Sequence, residues 1–340
     1  MNRRPEKILA IQFKYFGDAV FLTPALRALR AHFSEAQIHL LLPAEVAPVL
    51  ARLPAVDRLW AMPRRRGKAA FGQTWPVIRA LRREKFTRIV DFGGNDRGAV
   101  LSLAVGSPER LGWARPGKWF GCHQFYTRRV VSRPPRPHES AYLAQLLAGW
   151  EVPAPVSLEP EVHADDTLAG AAAAILPGHP ILFHVAAGNS KKQWPVSHWA
   201  ELYRLARAAG GNVCFTTPAG QREAVLMEEL RRLVPTAAVL PPMPDLPLFL
   251  AVLKRAALFV SGDTGPLHFA AGLGVPTLSL FGHTEPALNA PIGPRHKVIA
   301  AGGCTCARKF PVCARANPCL ADIRPGQVLA ALGEMLPGSL

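Results

Sequence analysis

The sequence contains no long hydrophobic run. Of its 340 residues 49% are hydrophobic, but no segment approaches the ~18 uninterrupted apolar residues of a membrane-spanning helix. The N-terminus is basic and then apolar, like a secretion signal, but Lys14 and Asp18 interrupt the apolar part and no small-residue cleavage site follows. We therefore expect a cytoplasmic protein that can rest on a membrane surface.

The standard nucleotide-binding motifs are also missing. No G-x-G-x-x-G follows a predicted strand, which excludes the dinucleotide fingerprint. Gly112, Gly117 and Lys118 match G-x4-G-K, but Trp119 stands where a P-loop needs the Ser or Thr that binds Mg²⁺. There is also no D-x-D pair of carboxylates to hold a metal ion.

Acidic residues are few compared with basic ones. The chain has 40 Lys and Arg against 24 Asp and Glu, a formal charge of +16. Such an excess indicates an anionic partner, which could be nucleic acid, an anionic membrane or a phosphorylated substrate, or it is an ordinary solvated surface. Aromatic residues make up only 8% and are not interleaved with basic ones, so we expect no nucleic-acid partner.

Four of the six cysteines lie close together near the C-terminus. Their pattern, C-x-C-x6-C-x5-C, is not a common zinc spacing, although thiolates this close could bind a metal. We expect reduced structural thiols rather than a metal site at Cys304, Cys306, Cys313 and Cys319.

Short apolar runs alternate with amphipathic helical stretches along both halves of the chain, which predicts parallel α/β sheets. The proline-rich segment 134–160 separates the halves. We predict two Rossmann-like, doubly wound domains, 1–160 and 161–340, that face each other across a cleft, with the option that the chain end packs back on the first domain. Ligands of such sheets bind at the carboxyl ends of the strands.

The stretch "LFVSGDTGPLHFAAGLGVPTLSLFG" (258–282) carries the strongest sign of chemistry. A buried strand ends at Gly262-Asp263, and Thr264-Gly265 opens a helix that contains His268. Glycines permit a tight turn, and the N–H groups of the helix start form an anion site. This pattern predicts a phosphate or diphosphate site, although Asp263 could also be an N-cap.

Two more strand ends carry charge. Lys191 and Lys192 follow the strand at 181–187, where a lysine can neutralise a phosphate, or both are surface lysines. In "YFGDAVF", Asp18 sits at or just inside a helix start. It is either an N-cap or a general base.

These residues resemble the lipopolysaccharide heptosyltransferases, glycosyltransferases of the GT-B fold. The resemblance covers nearly the whole chain and rests on four stretches in order. They are "ILAIQFKYFGDAVFLTPALRALR", "KQWPVSHWAELYRLA", "VSGDTGPLHFAAGLGVPTLSLFGHTEP" and "CARANPCLADIRPGQVLAAL".

The resemblance implies a role for each matching residue. Asp18 corresponds to the catalytic base and Lys192 to the lysine that contacts the donor phosphate. The turn that binds the donor diphosphate and sugar corresponds to Asp263, Thr264 and Gly265, with His268 nearby. Less direct matches make Met243 an adenine contact and Glu223 a ribose contact. Where some members have a threonine pair, this chain has Ala186-Ala187, and Lys14-Tyr15-Phe16 replaces small residues before Gly17-Asp18.

The resemblance also implies a reaction. A heptose would pass, with inversion and without a metal cofactor, from ADP-heptose to a hydroxyl of the lipid A-core oligosaccharide at the inner face of the inner membrane. Three alternatives remain open: another nucleotide-sugar glycosyltransferase of cell-surface polysaccharide, a GT-B-fold nucleotide-sugar 2-epimerase, and a non-enzymatic binding protein. Shared fold alone does not separate them.

Overall fold

The computed structural model describes residues 6–63, 71–114, 121–132, 134–216, 221–243, 245–302 and 319–338. The chain divides into two compact units, Met1–His163 and Ala164–Leu340. This division lies three residues beyond the predicted boundary. No helix within the described ranges is long and apolar enough to cross a membrane.

The first unit is built on a parallel sheet, in which the described residues form six strands in the order β3-β2-β1-β4-β5-β6. Its helices and strands, in chain order, are β1 (Lys7–Ile11), α1 (Phe16–Phe21), α2 (Thr23–His32), β2 (Gln37–Pro43), β3 (Arg58–Met62), α3 (Phe71–Glu84), β4 (Arg88–Asp91), α4 (Asp96–Val105), β5 (Glu109–Trp113), β6 (Arg128–Val130) and α5 (Glu139–Gln145).

The central strands of this sheet are mostly apolar, as is typical of parallel strands with both faces covered by helices. Ile8 to Ile11 of β1 are completely buried. The helical segment that follows β1 consists of two helices, α1 and α2, that meet at Leu22. Pro24 lies in the first turn of α2, where its missing N–H is tolerated, and it prevents one continuous helix.

The second unit repeats this plan. The described residues form six parallel strands in the order β12-β11-β10-β7-β8-β9. The helices and strands are α6 (Ala169–Ile175), β7 (Ile181–His184), α7 (Val196–Ala208), β8 (Val213–Thr216), α8 (Gln221–Leu233), β9 (Ala238–Val239), α9 (Leu246–Leu253), β10 (Leu258–Gly262), α10 (Gly265–Gly272), β11 (Thr277–Phe281), α11 (Pro286–Asn289), β12 (His296–Ala300) and α12 (Pro325–Met335).

The last helix, α12, packs against α7 in this second unit. Val328 and Leu332 of α12 join the same buried cluster as Trp194 and Trp199. The indole N–H of Trp194 donates to the carbonyl of Ile323 over 3.0 Å, which fixes the chain just before α12. The predicted α/β class with two Rossmann-like sheets is confirmed.

Strand order reverses once in each sheet. In the first unit the reversal lies between β1 and β4, and in the second between β7 and β10. At such a switch point the connections leave in opposite directions and open a crevice at the carboxyl ends of the strands. Asp18 follows β1, whereas Lys192 and Asp263 follow β7 and β10, so each of these three residues lies at a switch point.

Candidate functional site

The turn after β7 carries Lys192 across the end of β10. Asn189 shapes this turn by accepting a hydrogen bond from the Lys191 N–H at 3.0 Å. A Cβ atom on Gly262 would lie 2.6 Å from the carbonyl oxygen of Lys192. Only glycine at 262 therefore lets the two strand ends approach closely, which brings the Lys192 side chain beside Asp263.

Asp263 lies between two basic groups. Its Oδ2 is 2.5 Å from Nζ of Lys192, and its Oδ1 is 3.4 Å from Nε2 of His268. Burial by itself would raise the pKa of Asp263, but the hydrogen bond from His268 and the charge of Lys192 outweigh burial and hold the pKa well below its usual range. Asp263 is thus a carboxylate that orients Lys192 and His268.

The prediction that Asp263 could be an N-cap is wrong. Thr264 is the N-cap residue of α10, with an extended backbone, and α10 begins at Gly265. The carboxylate of Asp263 is instead held by Lys192 and His268. The first-turn N–H groups of α10 have no acceptor within the helix, so the helix start and the Lys192 ammonium together suit an anionic ligand.

His283 is a neighbour of this cluster that the sequence analysis did not single out. It follows β11 and is 9% exposed. Burial lowers the pKa of His283, and the positive charge of Lys192 lowers it further. Its imidazole is therefore neutral at physiological pH. The segment "FGHTEP" was visible in the sequence, but nothing local distinguishes its histidine from any other.

In the first unit, Asp18 is the third residue of α1. The N-cap residue of α1 is Tyr15, so the interpretation of Asp18 as the N-cap is wrong. Asp18 caps the helix from its third position instead, because its Oδ2 accepts a hydrogen bond from the Tyr15 N–H at 3.2 Å. Its Oδ1 lies 3.4 Å from Nζ of Lys14. Burial raises the pKa of Asp18, the charge of Lys14 offsets part of that rise, and Glu139 adds to it.

The remaining predicted residues lie farther along the same edge of the second sheet. Glu223 is in the first turn of α8, and Met243 follows β9, partly buried. Cys319 is buried, and its Sγ would lie 2.9 Å from a Cβ on Gly282.

The other three cysteines of the cluster, Cys304, Cys306 and Cys313, lie outside the described residues. Among the residues that are described, no group of three or more His, Cys, Asp and Glu side chains could hold a metal ion.

Two doubly wound units, one with a lysine and a helix N-terminus at its switch point, define an α/β protein with a site that suits an anionic group. Comparison with known proteins gives a more specific answer. Residues 74–318 match the model of glycosyltransferase family 9 (heptosyltransferase). The chain belongs to this family and is a glycosyltransferase.

Individual relatives cover almost the full chain. Lipopolysaccharide heptosyltransferase 2 of Salmonella typhimurium is 25% identical over 349 residues, covering 97% of this chain and 98% of that protein. A family 9 glycosyltransferase from Veillonella parvula has the same fold, with a TM-score of 0.86 at 17% identity and 98% of each chain covered.

A second solved structure, E. coli heptosyltransferase WaaC with ADP, has a TM-score of 0.77 at 20% identity and covers 97% of this chain and 100% of that chain. These structures confirm the predicted GT-B fold. The family match favours glycosyl transfer over the epimerase and the binding-protein alternatives.

Proposed function

We propose that this protein transfers a heptose from ADP-heptose to a hydroxyl of the lipopolysaccharide core, with inversion at the anomeric carbon. The observation that carries the proposal is the set of Lys192, Asp263 and the start of α10 at the switch point of the second unit. This set suits a diphosphate, and the family match makes the diphosphate part of a sugar donor. The relative in Salmonella typhimurium is named for lipopolysaccharide, which supports the acceptor class.

The proposed step is a single displacement. The acceptor oxygen forms a bond to the anomeric carbon while the bond from that carbon to the donor β-phosphate oxygen breaks, and its electron pair stays on ADP. The acceptor proton passes to the carboxylate of Asp18. Lys192 and the N–H groups at the start of α10 stabilise the charge that develops on ADP, as pre-oriented donors do in other transferases.

Asp263 and His268 have supporting parts in this step. Asp263 holds the Lys192 ammonium in place through its 2.5 Å contact, and Thr264 and Gly265 bring the backbone close to the diphosphate. His268, beside Asp263, contacts the donor sugar or phosphate. Met243 and Glu223 bind the adenine and the ribose. We also propose that no metal is needed, since Lys192 and the helix start supply the positive charge.

The donor is tested by thermal stabilisation of the full chain with ADP-, GDP- and UDP-sugars. We expect ADP-heptose and ADP to raise the melting temperature, because ligand binding to the folded state stabilises it by mass action. The other nucleotides should have little effect. Stabilisation by UDP-sugars alone would instead favour the alternative of another nucleotide-sugar glycosyltransferase.

We further propose that α3 rests on an anionic membrane. Trp75 is 57% exposed, and Arg79, Arg82 and Arg83 are exposed on the same helix. At 3.6 residues per turn these four side chains fall within an arc of about 100°. A tryptophan among arginines on one helix face suits the headgroup region of an anionic bilayer.

The neighbouring helix α4 extends this surface. Arg82 donates to the carbonyl of Ala104 at 2.7 Å, so its guanidinium joins α3 to the end of α4. Val100 and Leu103 of α4 are 48% and 44% exposed. The two helices thus present apolar and basic side chains together, as a lipid-linked acceptor would require.

Sedimentation with lipid vesicles tests this surface. The wild type should bind vesicles that contain phosphatidylglycerol and not vesicles of phosphatidylcholine alone. Trp75→Ser with Arg79→Ser should weaken that binding at least fivefold, since one basic residue near the surface contributes about 1 kcal/mol. Val225→Ser with Arg231→Ser on α8 is the matched control and should bind normally. Equal loss in both variants would refute the assignment to α3.

A further inference from the structure

Asp18 lies at one end of a network of charged side chains. Nζ of Lys14 lies 3.4 Å from Oδ1 of Asp18 and 3.2 Å from Oε1 of Glu139. The other oxygen of Glu139 accepts a hydrogen bond from Arg136. Lys14 is therefore shared between two carboxylates, one of which is the proposed base.

The other end of this network, at Glu139 and Arg136, is held by packing contacts. Glu139 is 5% exposed and is the first residue of α5. The guanidinium of Arg136 lies over the ring of Tyr142, 4.6 Å from its centroid, and Tyr142 stacks on Trp113 at 4.2 Å. A buried carboxylate fixed in this way draws Lys14 toward itself and limits how fully Lys14 can pair with Asp18.

We infer that Lys14 and Glu139 are positioning residues that set the basicity of Asp18. The inference depends on the proposed role of Asp18 as the base. A base that is fully paired with a lysine gives up basicity, whereas an isolated buried carboxylate remains protonated at neutral pH. Lys14, shared with Glu139, gives Asp18 an intermediate environment.

Among the described residues, the other elements near Asp18 supply no charge that acts on it as strongly. Asp91, at the end of β4, also feels the charge of Lys14. The helical turn Ala47–Leu50, which contacts α1, has no charged residue. On α2, Arg27 pairs with Glu161 and Arg30 pairs with Asp57. At the N-cap of α5, the ring of His138 packs edge-on against Phe21. Lys14 and Glu139 are thus the two charges that act on Asp18 most directly.

The two residues should move the pH profile in opposite directions. The acidic limb of kcat/KM reports the pKa of the base in the free enzyme. Lys14→Met removes a positive charge, so the pKa of Asp18 rises. The acidic limb should shift to higher pH by about one unit, the lower end of the range for an opposite charge in contact with a carboxylate. Glu139→Gln removes a negative charge and releases Lys14 to Asp18, so the limb should move down.

The experiment is the pH dependence of heptosyl transfer by the full chain and its variants. At a pH below the wild-type limb, Lys14→Met should be about tenfold slower than wild type, and Glu139→Gln should be faster. Lys14→Arg keeps the charge and should restore the wild-type limb. A folding defect would change the amount of active enzyme at every pH, which does not move a limb, and so it would not imitate this result.

Two outcomes separate the inference from the function on which it depends. If Asp18→Asn is as active as wild type, the proposed base is wrong. If Asp18→Asn is inactive but Lys14→Met and Glu139→Gln leave the limb in place, or move it in the same direction, the inference alone is overturned.

Discussion

Asp18→Asn should lower the turnover of heptosyl transfer by about 10²- to 10⁴-fold, the usual contribution of a general base. Asparagine has nearly the same shape and can still accept the hydrogen bond from the Tyr15 N–H, which now spans 3.2 Å. It cannot take the acceptor proton. The fold and the donor site of the second unit should therefore be unaffected, and steady-state kinetics together with ADP titration measure the two effects separately.

A capping carboxylate elsewhere in the chain is the control for this variant. Asp165 accepts a hydrogen bond from the Thr167 N–H at 3.1 Å, so Asp165→Asn makes the same chemical change at a cap. We expect it to keep normal turnover. Normal turnover of Asp18→Asn, or loss of ADP binding together with turnover, would mean that Asp18 has only a structural role.

Lys192→Met should lower turnover by about 10²- to 10³-fold, the loss expected when one donor to developing charge is removed. It should also weaken ADP binding, since the proposed contact of Lys192 with the diphosphate exists in the bound state as well as in the transition state. The free energy of unfolding should fall as well, because the Asp263 carboxylate is only 7% exposed and loses its 2.5 Å contact with the Lys192 ammonium. Breaking a fully buried ion pair costs roughly 3–5 kcal/mol, and the partial exposure of Lys192 makes the expected cost smaller.

Two further variants separate the catalytic loss from the structural one. Lys192→Met with Asp263→Asn removes the unpaired carboxylate, so the free energy of unfolding should recover while turnover stays low. Lys191→Met changes the adjacent lysine, to which the proposed step gives no role, and should leave turnover within a few-fold of wild type. Recovery of turnover in the double variant would contradict the role of Lys192 in stabilising ADP.

Most of the fold was predictable because its central strands are buried on both faces. Short apolar runs such as "ILAIQF" and "IHLLLP" are typical of strands buried on both faces, and β1 and β2 overlap these two runs. The edge strand β6 was not predicted. It is three residues long with the sequence Arg-Arg-Val, and its arginines are exposed, so it carries no apolar run and is set by its pairing with β5.

The grouping of Lys192 with Asp263 was predictable because its signals are local. Gly262-Asp263-Thr264-Gly265 is a strand end, a turn and a helix start in consecutive residues, and Lys192 lies at the end of the neighbouring strand. The contact between Lys14 and Glu139 could not be predicted, since it joins residues 125 positions apart. It depends on how α5 packs on α1, which periodicity does not specify.

The measurement that tests the central claim most directly is the product formed by the full chain from ADP-heptose and a lipid A-core acceptor in the presence of EDTA. Mass spectrometry detects transfer, and NMR gives the anomeric configuration of the new linkage. The proposed single displacement by an acceptor that Asp18 deprotonates predicts one added heptose with the configuration inverted relative to the donor. A retained configuration, or no transfer until a divalent metal is restored, would contradict it.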